Sequence, residues 1–176
     1  MPGQRLARAI AAAVVAAGAP APASIGLVLS DDAELAELNF EHMATHGPTD
    51  VLSFPLLPPG SFRPHEGGPI PGPIPGPIIG PAIEKDAAGA AAFALPPGRR
   101  IHLGDIVVSV ERAAAQASDG RGGQTGDVRW TPAHELLLLV THGALHVCGW
   151  DHAEPREEAA MRMLERTLLG AYGQAG

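Results

Sequence analysis

Three histidines near the end of the chain have a spacing that suits one metal ion. The segment from His142 to His152 reads HGALHVCGWDH and follows the pattern HxxxHxxGxxH. Because residues i and i+4 share one face of a helix, His142 and His146 can point at the same ion. Gly149 can end that helix in the left-handed conformation, so that the chain turns and returns His152 as a third ligand. Three neutral imidazoles with one open position are typical of a catalytic zinc site, which makes hydroxide available at neutral pH.

Residues next to these histidines narrow the chemistry. In metallopeptidases of related pattern a glutamate follows the first histidine and acts as the general base, whereas this chain has Gly143 there. Asp151 can either orient an imidazole or serve as a turn or capping residue, and both interpretations stay open. We expect Cys148 to behave as a small buried apolar residue, because it lies two positions after His146 and so faces away from the ion.

Local sequence signals also predict the elements that position the histidines. The apolar run at 136–140 indicates a buried helix, with Thr131 as its N-cap and Pro132 as its first residue. An alanine-rich helix is predicted at 3–17, and Ser30 is the expected N-cap of a helix carrying Leu35, Leu38 and either Phe40 or Met43 on its apolar side. Strands are predicted at 24–29, 51–54 and 101–110, and further helices at 111–117 and from Pro155 to Gly170.

Three segments together resemble the YbeY family, bacterial endoribonucleases that mature ribosomal RNA. HGALHVCGWDH is similar to the family signature HGxLHLxGYDH. Leu38-Asn39, followed by PTDVLSFP at 48–55, resembles LNxxYRxxDxPTDVLSFP, and LGDIVVS at 103–109 resembles the family strand LGDIVIS. All three occur in the family's order, and the resemblance covers most of 23–170 apart from a central insert.

The resemblance implies a fold, a cofactor and a substrate. It implies one zinc ion per chain, bound by His142, His146 and His152. The fold expected is α/β of the α+β type: a small mixed sheet of about four strands, covered by about five helices, with the metal-bearing helix packed on it. The fourth strand has no sequence signal and is implied by the resemblance alone. The implied substrate is single-stranded RNA, in ribosomal RNA maturation that includes the 3′ end of 16S rRNA, and the implied partners are the ribosome or its associated proteins, with no DNA.

The chain departs from the family pattern at two positions. The family's YR dipeptide falls on His42 and Met43, and a later aspartate falls on His46. The resemblance implies that this arginine contacts or activates the phosphodiester, which Met43 cannot do because it carries no charge and no donor. Either another basic group replaces the arginine or the activity is altered. The candidates by charge alone are Arg63, Arg99 and Arg100.

Length and composition set bounds on the class of protein. At 176 residues with 45% hydrophobic residues, the chain suits one domain, predicted over 1–176. We predict a Pro/Gly-rich low-complexity insert at 56–98, because its Pro-Ile-Pro-Gly repeat offers few backbone donors and should form no packed element.

Charge and cysteine content favour a cytoplasmic protein that holds RNA only transiently. The net charge is −7, so the RNA assignment rests on the resemblance and fits a transient substrate or one positioned by a partner protein. One cysteine excludes an internal disulfide. The sequence contains no run of about 18 apolar residues, so we expect no transmembrane helix. Arg5 and Arg8, which precede the apolar run at 10–17, resemble a secretion signal only superficially, and we expect the helix at 3–17 to remain part of the fold.

The leading hypothesis from these observations is a zinc-dependent endoribonuclease. Water or the substrate 2′-hydroxyl would attack the phosphodiester, with Asp50 or Asp105 as candidate catalytic bases. Two other hypotheses stay open. One is a metallopeptidase-like hydrolase, which the histidine spacing allows and Gly143 weighs against. The other is a zinc-stabilised adaptor that binds the ribosome or a GTPase, for which the loss of the arginine at Met43 leaves room.

Overall fold

The computed structural model describes residues 2–62, 100–119 and 130–173. Its elements in chain order are α1 (Pro2–Ala16), β1 (Ala23–Ser30), α2 (Asp32–Met43), β2 (Val51–Pro55), β3 (Ile101–Ser109), α3 (Val110–Asp119), α4 (Pro132–Val147) and α5 (Pro155–Gly173), with a short 3-10 turn at Pro59–Ser61. Five helices and a small mixed sheet confirm the predicted α+β class. Most of the predicted insert at 56–98, including its Pro-Ile-Pro-Gly repeat, lies outside the described residues. No helix in the described ranges is long and apolar enough to cross a membrane.

The sheet has three strands in the order β1-β3-β2, so the expected count of four is wrong for the described part of the chain. That count came from the resemblance, and no run of residues in the described segments supplies a fourth strand. β1 pairs with β3 in parallel and β2 pairs with β3 antiparallel. The central strand β3 is buried from Leu103 to Ser109, except at the partly exposed Asp105.

Helix α4 lies at the centre of the molecule. Its start follows the predicted caps, since Thr131 accepts a hydrogen bond from the His134 backbone N–H and Pro132 occupies the first helical turn. The helix contacts both β2 and β3 and also packs against α1, α3 and α5. Its buried face comprises Leu137, Leu138, Leu139, Val140, Ala144, Leu145 and Val147. A helix packed on all sides is a rigid support for metal-binding side chains.

Gly143 allows α4 to approach the sheet closely. A Cβ atom at this position would lie 2.7 Å from Ile106 Cγ2, closer than real Cβ atoms come, and 3.0 Å from Val51 Cγ2, which is tighter than most real contacts. Ser53 of β2 adds a hydrogen bond from its hydroxyl to the Gly143 carbonyl oxygen, at 3.1 Å. The residue after His142 therefore faces the sheet, and no side chain fits there.

The N-cap of helix α2 lies one residue later than predicted. Asp31, not Ser30, is the N-cap, and its side chain accepts a hydrogen bond from the Glu34 backbone N–H at 2.9 Å. Ser30 is the last residue of β1, and its hydroxyl bonds the Glu34 carboxylate instead. Both Asp and Ser are good caps, so local preference did not distinguish two adjacent candidates.

Candidate metal centre

The structure brings the three predicted histidines together. His142 and His146 lie one turn apart on α4, and Gly149 follows the helix with φ 81°, the left-handed conformation that its role as a stop required. His152 then returns to them, with its ring centroid 5.5 Å from that of His142 and 4.9 Å from that of His146. One nitrogen from each ring lies within 4.8 Å of the others, so the group could hold a metal ion.

Two neighbouring acceptors orient the rings on α4. Nδ1 of His146 lies 2.9 Å from the carbonyl oxygen of Trp150, which can only accept, so this nitrogen carries the proton. Nδ1 of His142 lies 2.7 Å from Oε1 of Glu165, a carboxylate that is 5% exposed. With both Nδ1 atoms donating, both Nε2 atoms present lone pairs to each other, 3.1 Å apart.

This donor arrangement fits a zinc ion. Two facing lone pairs repel unless a cation lies against both of them. Zinc–nitrogen bonds of about 2.0–2.1 Å at tetrahedral angles bring ligand nitrogens to about 3.3 Å from each other, close to the separation seen here. Ligating histidines also normally donate their other ring N–H to a carboxylate or carbonyl, as His142 and His146 do.

Burial keeps the central imidazole neutral. Burial, with the nearby rings of His142 and His152, lowers the pKa of His146 from 6.5 to about 4. The ring is therefore unprotonated at neutral pH and free to bind a metal. Burial also raises the pKa of the Cys148 thiol to about 12, and its side chain is fully buried, which confirms the prediction of a small apolar residue.

Glu165 is the site residue that sequence reasoning missed. Asp151 had two interpretations in the sequence, imidazole orientation and a turn. Its side chain accepts a hydrogen bond from the His152 backbone N–H at 2.7 Å, as a turn residue does. A signal for Glu165 was present, because it lies four residues after Met161 and three before Leu168, on the face predicted to be buried. A glutamate on a buried helical face needs a partner, and His142 is that partner.

Two adjoining recesses open at the histidines and share Asp50, His142 and His152. The smaller, of about 140 Å³, is lined further by Leu138, Leu139, Glu158, Met161, Arg162 and Glu165. The larger, of about 490 Å³, is lined further by Met43, Thr49, Val51, Leu52, Ser53, Pro55 and His146. The site is therefore a cleft between α4 and α5 on one side and the end of α2 and strand β2 on the other.

The two predicted catalytic aspartates have different positions. Asp50 lines both recesses; its Oδ1 accepts the Val51 backbone N–H at 3.0 Å and its Oδ2 accepts Nε2 of Gln116 at 3.1 Å. Asp105 instead bonds Nε2 of His102 at 3.1 Å, on the face of the sheet opposite α4, since its neighbour Ile106 points at α4. The structure thus brings Asp50 to the histidines and does not bring Asp105.

Met43 lines the cleft. The arginine in the cleft is Arg162, which was not among the candidates that the sequence suggested. Met43 forms part of the wall of the larger recess and is 52% exposed. Arg162 lines the smaller recess and pairs with Glu158 one turn earlier on α5. Arg100 lies instead beside the groove between α1 and β1, and Arg63 and Arg99 fall outside the described residues. Among the lining residues that the structure describes, Arg162 alone is a lysine or arginine.

Comparisons with known proteins agree with the sequence motifs. A family described as Endoribonuclease YbeY matches residues 3–173. A protein named Endoribonuclease YbeY from Mycolicibacterium gilvum (strain PYR-GCK) is 39% identical over 149 residues, which cover 84% of this chain and 62% of that one. Its namesake from Roseiflexus sp. (strain RS-1) is 34% identical over 153 residues, covering 86% and 72%.

The chain spans less than two thirds of the length of several curated relatives, such as the 62% covered in the M. gilvum protein. A Thermotoga maritima protein solved in solution aligns with a TM-score of 0.46 and 17% identity, over 99% of this chain and 83% of that one. The match to the family over nearly the whole chain, with all three signature histidines converging on one cleft, carries the assignment. The chain belongs to the YbeY endoribonuclease family.

Proposed function

We propose that this protein is a zinc-dependent endoribonuclease that cleaves single-stranded RNA in ribosomal RNA maturation, including the 3′ end of 16S rRNA, in the cytoplasm. The observation that carries the proposal is the pair of facing Nε2 atoms of His142 and His146, 3.1 Å apart, with both Nδ1 protons held by other acceptors. His152 would complete a set of three neutral ligands. A zinc ion bound there, one per chain, would supply Lewis-acid stabilisation of charge on the phosphoryl oxygens.

Asp50 is the residue best situated to move a proton. It borders both recesses, and the hydrogen bonds from Val51 and Gln116 fix its carboxylate. It would accept the proton of the attacking oxygen, from water or from the substrate 2′-hydroxyl, as that oxygen bonds to phosphorus and the scissile P–O bond breaks. The leaving oxygen would take a proton from solvent water. Asp105, the other candidate base, faces away from the cleft and has no part in this scheme.

Arg162 would supply the positive charge that Met43 lacks. Its guanidinium is paired with Glu158, but both side chains are nearly half exposed, at 46% and 44%. An exposed ion pair of this kind is worth little and can open at small cost. A phosphate entering the smaller recess could then take the place of the Glu158 carboxylate on the guanidinium.

The adaptor hypothesis keeps one specific observation in its favour. Met43 forms part of the cleft wall without charge or hydrogen-bond donor, and the chain as a whole carries a net charge of −7. A zinc-stabilised protein that binds the ribosome or its associated proteins without turnover would need no phosphate-binding arginine. The metallopeptidase hypothesis loses support, because a glutamate at position 143 would point into the packed interface between α4 and the sheet.

The proposal is tested by measuring zinc content and cleavage of a labelled single-stranded RNA fragment in parallel. We expect one zinc per chain and cleavage in the wild-type protein, and loss of both in His146→Ala with the circular dichroism spectrum retained. His134→Ala is the matched control, because His134 lies on the same helix outside the cleft and should keep both properties. Chelation of zinc should stop cleavage, and added zinc should restore it.

Three results would contradict parts of this proposal. Stoichiometric zinc in His146→Ala would refute the ligand assignment. A zinc-loaded, folded wild type that cleaves no RNA, even as Met43→Arg, would favour the adaptor. Cleavage that survives Asp50→Asn unchanged would exclude Asp50 as the base, whereas we expect a loss of about 10²–10⁴-fold.

A further inference from the structure

The end of α2 exposes side chains that a helix of this kind should bury. Either Phe40 or Met43 was expected on the apolar side with Leu35, which is fully buried, yet the two side chains are 54% and 52% exposed. Being three residues apart, they lie along one face of the helix. A phenylalanine and a methionine exposed side by side form a patch that calls for a ligand more than scattered single hydrophobes do.

The exposed ring is already stacked on one side. The rings of Phe40 and His46 lie 4.8 Å apart at an interplanar angle of 26°. His42 meets Phe54 edge-on at 5.1 Å and 72°, which holds the end of α2 against strand β2. Phe40, Met43 and His46 therefore lie together on one exposed surface, called here the stacking strip, in which the rings of Phe40 and His46 are already stacked.

The stacking strip continues directly from the proposed active site. Met43 forms part of the wall of the larger recess, which also contains His142, His146 and His152. Phe40 follows one helical turn away from that wall. A chain molecule held with one phosphate at the histidines would therefore pass over Met43 and reach the ring of Phe40 with a neighbouring unit.

The charge of the protein indicates which part of an RNA strand the stacking strip contacts. With a net charge of −7 and Arg162 as the lining cation in the described cleft, phosphate neutralisation offers little affinity for RNA. Base stacking on aromatic rings needs no positive charge, and every base offers a planar face. Bases in a duplex are already stacked on each other, so a strip of this kind favours a single strand.

We propose that Phe40, Met43 and His46 form a base-stacking subsite, which holds a nucleobase adjacent to the scissile position of single-stranded RNA. This inference rests on the proposed function and adds to it the way in which an acidic protein holds its substrate. Stacking takes over part of the binding for which a basic surface would otherwise be required.

Binding of an intact strand tests the subsite separately from cleavage. We would measure fluorescence anisotropy of a labelled single-stranded oligoribonucleotide with the zinc-loaded full chain carrying Asp50→Asn, which leaves the three histidines intact and slows cleavage enough for the RNA to survive. In that background Phe40→Leu keeps apolar area but removes the ring, and we expect binding to weaken about 5- to 150-fold. Phe40→Trp should bind at least as tightly as the parent. Met163→Ala, which alters a 61% exposed side chain on α5, is the control and should stay within about twofold.

Two further probes separate stacking from phosphate contacts. An abasic strand of the same length should bind as weakly to the parent as the normal strand binds to Phe40→Leu. The slope of log affinity against log salt concentration should be shallow, about −1, because few phosphates are neutralised. Equal binding by Phe40→Leu and the parent, equal binding of the abasic strand, or no binding of any strand would overturn the subsite.

Failure of the proposed function gives a different pattern. If the zinc-loaded wild type cleaves no RNA but binding still depends on the ring at position 40, the nuclease proposal fails and the stacking subsite stands. If cleavage proceeds and Phe40→Leu changes neither binding nor KM, the nuclease stands and the subsite is wrong. The exposed patch would then be assigned to a protein partner.

Discussion

Two histidine clusters on opposite faces of the sheet differ in how their polar groups are held. On the α4 side, the Nδ1 atoms of His142 and His146 bond an almost fully buried carboxylate and a backbone carbonyl. On the other face, His102 lies 3.4 Å from the Ser24 hydroxyl and 3.1 Å from Asp105. The second set has the residue types of a catalytic triad, but its histidine and aspartate side chains are 43% and 49% exposed.

The comparison indicates that burial and fixed acceptors, rather than suitable residue types alone, hold the side chains of such a cluster in a defined geometry. In the α4 cluster the Nδ1 atoms of His142 and His146 each have a hydrogen-bond acceptor, so the two Nε2 atoms face each other. The cluster around His102 competes with water for every contact, which leaves its geometry weakly determined. We therefore expect changes in the first cluster to affect stability and function strongly and equivalent changes in the second to have small effects.

The largest expected effect is the acid sensitivity of the metal-free protein. Because the pKa of His146 falls from 6.5 in the unfolded chain to about 4 in the folded one, the unfolded chain binds the proton more readily. Its contribution to stability is complete above pH 6.5 and is lost as the pH falls towards 4, by about 3 kcal/mol. Urea unfolding of the chelator-treated protein between pH 4 and 7.5 measures this loss.

A variant isolates the contribution of this histidine from the general effect of acid. His146→Gln removes the titrating ring, so its stability should fall less over the same pH range. Parallel curves for the variant and the wild type would mean that burial of His146 does not govern the acid response.

The next effect concerns the carboxylate that orients His142. Glu165→Gln keeps the shape of the side chain but removes its charge, and Glu165→Ala removes the acceptor. Partners of metal-binding histidines usually contribute 10- to 100-fold to metal affinity or activity. We expect zinc affinity to fall by that factor in Glu165→Ala and by less in Glu165→Gln, measured by competition with a chelating dye. Unchanged affinity in both variants would remove Glu165 from the centre.

Local signals were enough to predict the support of the metal site. The caps Thr131 and Pro132, the stop at Gly149 and the i, i+4 spacing of the histidines are each decided within a few residues of sequence. The structure reproduces all of them. The exposure of Phe40 and Met43 was not predictable in the same way. An apolar helical face has the same sequence pattern whether it packs against the core or binds a ligand.

The rest of the site depended on contacts between distant parts of the chain. Glu165 and Arg162 reach the cleft only because α5 crosses α4, and no spacing in the sequence encodes that crossing. Asp105 lies outside both recesses because its neighbour Ile106 points at α4, and the sequence alone does not show which face of the sheet a strand residue takes. A bulge in β3 also brings His102 to the face of Asp105. The register with β1 shifts between Ser24 and Ile25, and Gly104 adopts φ 149°. His102 and Asp105 consequently share the face away from α4 although they are three residues apart.

Alanine substitutions at Gly143 and Gly26 compare the face of the sheet that packs on α4 with the opposite face. Gly143→Ala puts a methyl group against the buried Ile106 and the partly buried Val51, two branched side chains that pack against the core. Overpacking costs about 1–3 kcal/mol and the helix-propensity gain of alanine returns about 1 kcal/mol, so we expect a net loss of up to about 2 kcal/mol and weaker zinc binding. Gly26→Ala meets only the exposed Asp105 carboxylate, which can rotate away. Thermal unfolding of both variants should show a lower midpoint for the first and little change for the second.

The smallest expected effects belong to the exposed cluster itself. Asp105→Asn and His102→Ala remove a contact between two half-exposed groups, worth at most about 0.5 kcal/mol. Cleavage should stay within about twofold of wild type in both variants, in contrast to Asp50→Asn. A large loss of cleavage in Asp105→Asn with normal zinc content and stability would mean that the outer face takes part in the reaction. The contrast between a buried, oriented cluster and an exposed one that also combines a histidine with a carboxylate would then no longer hold.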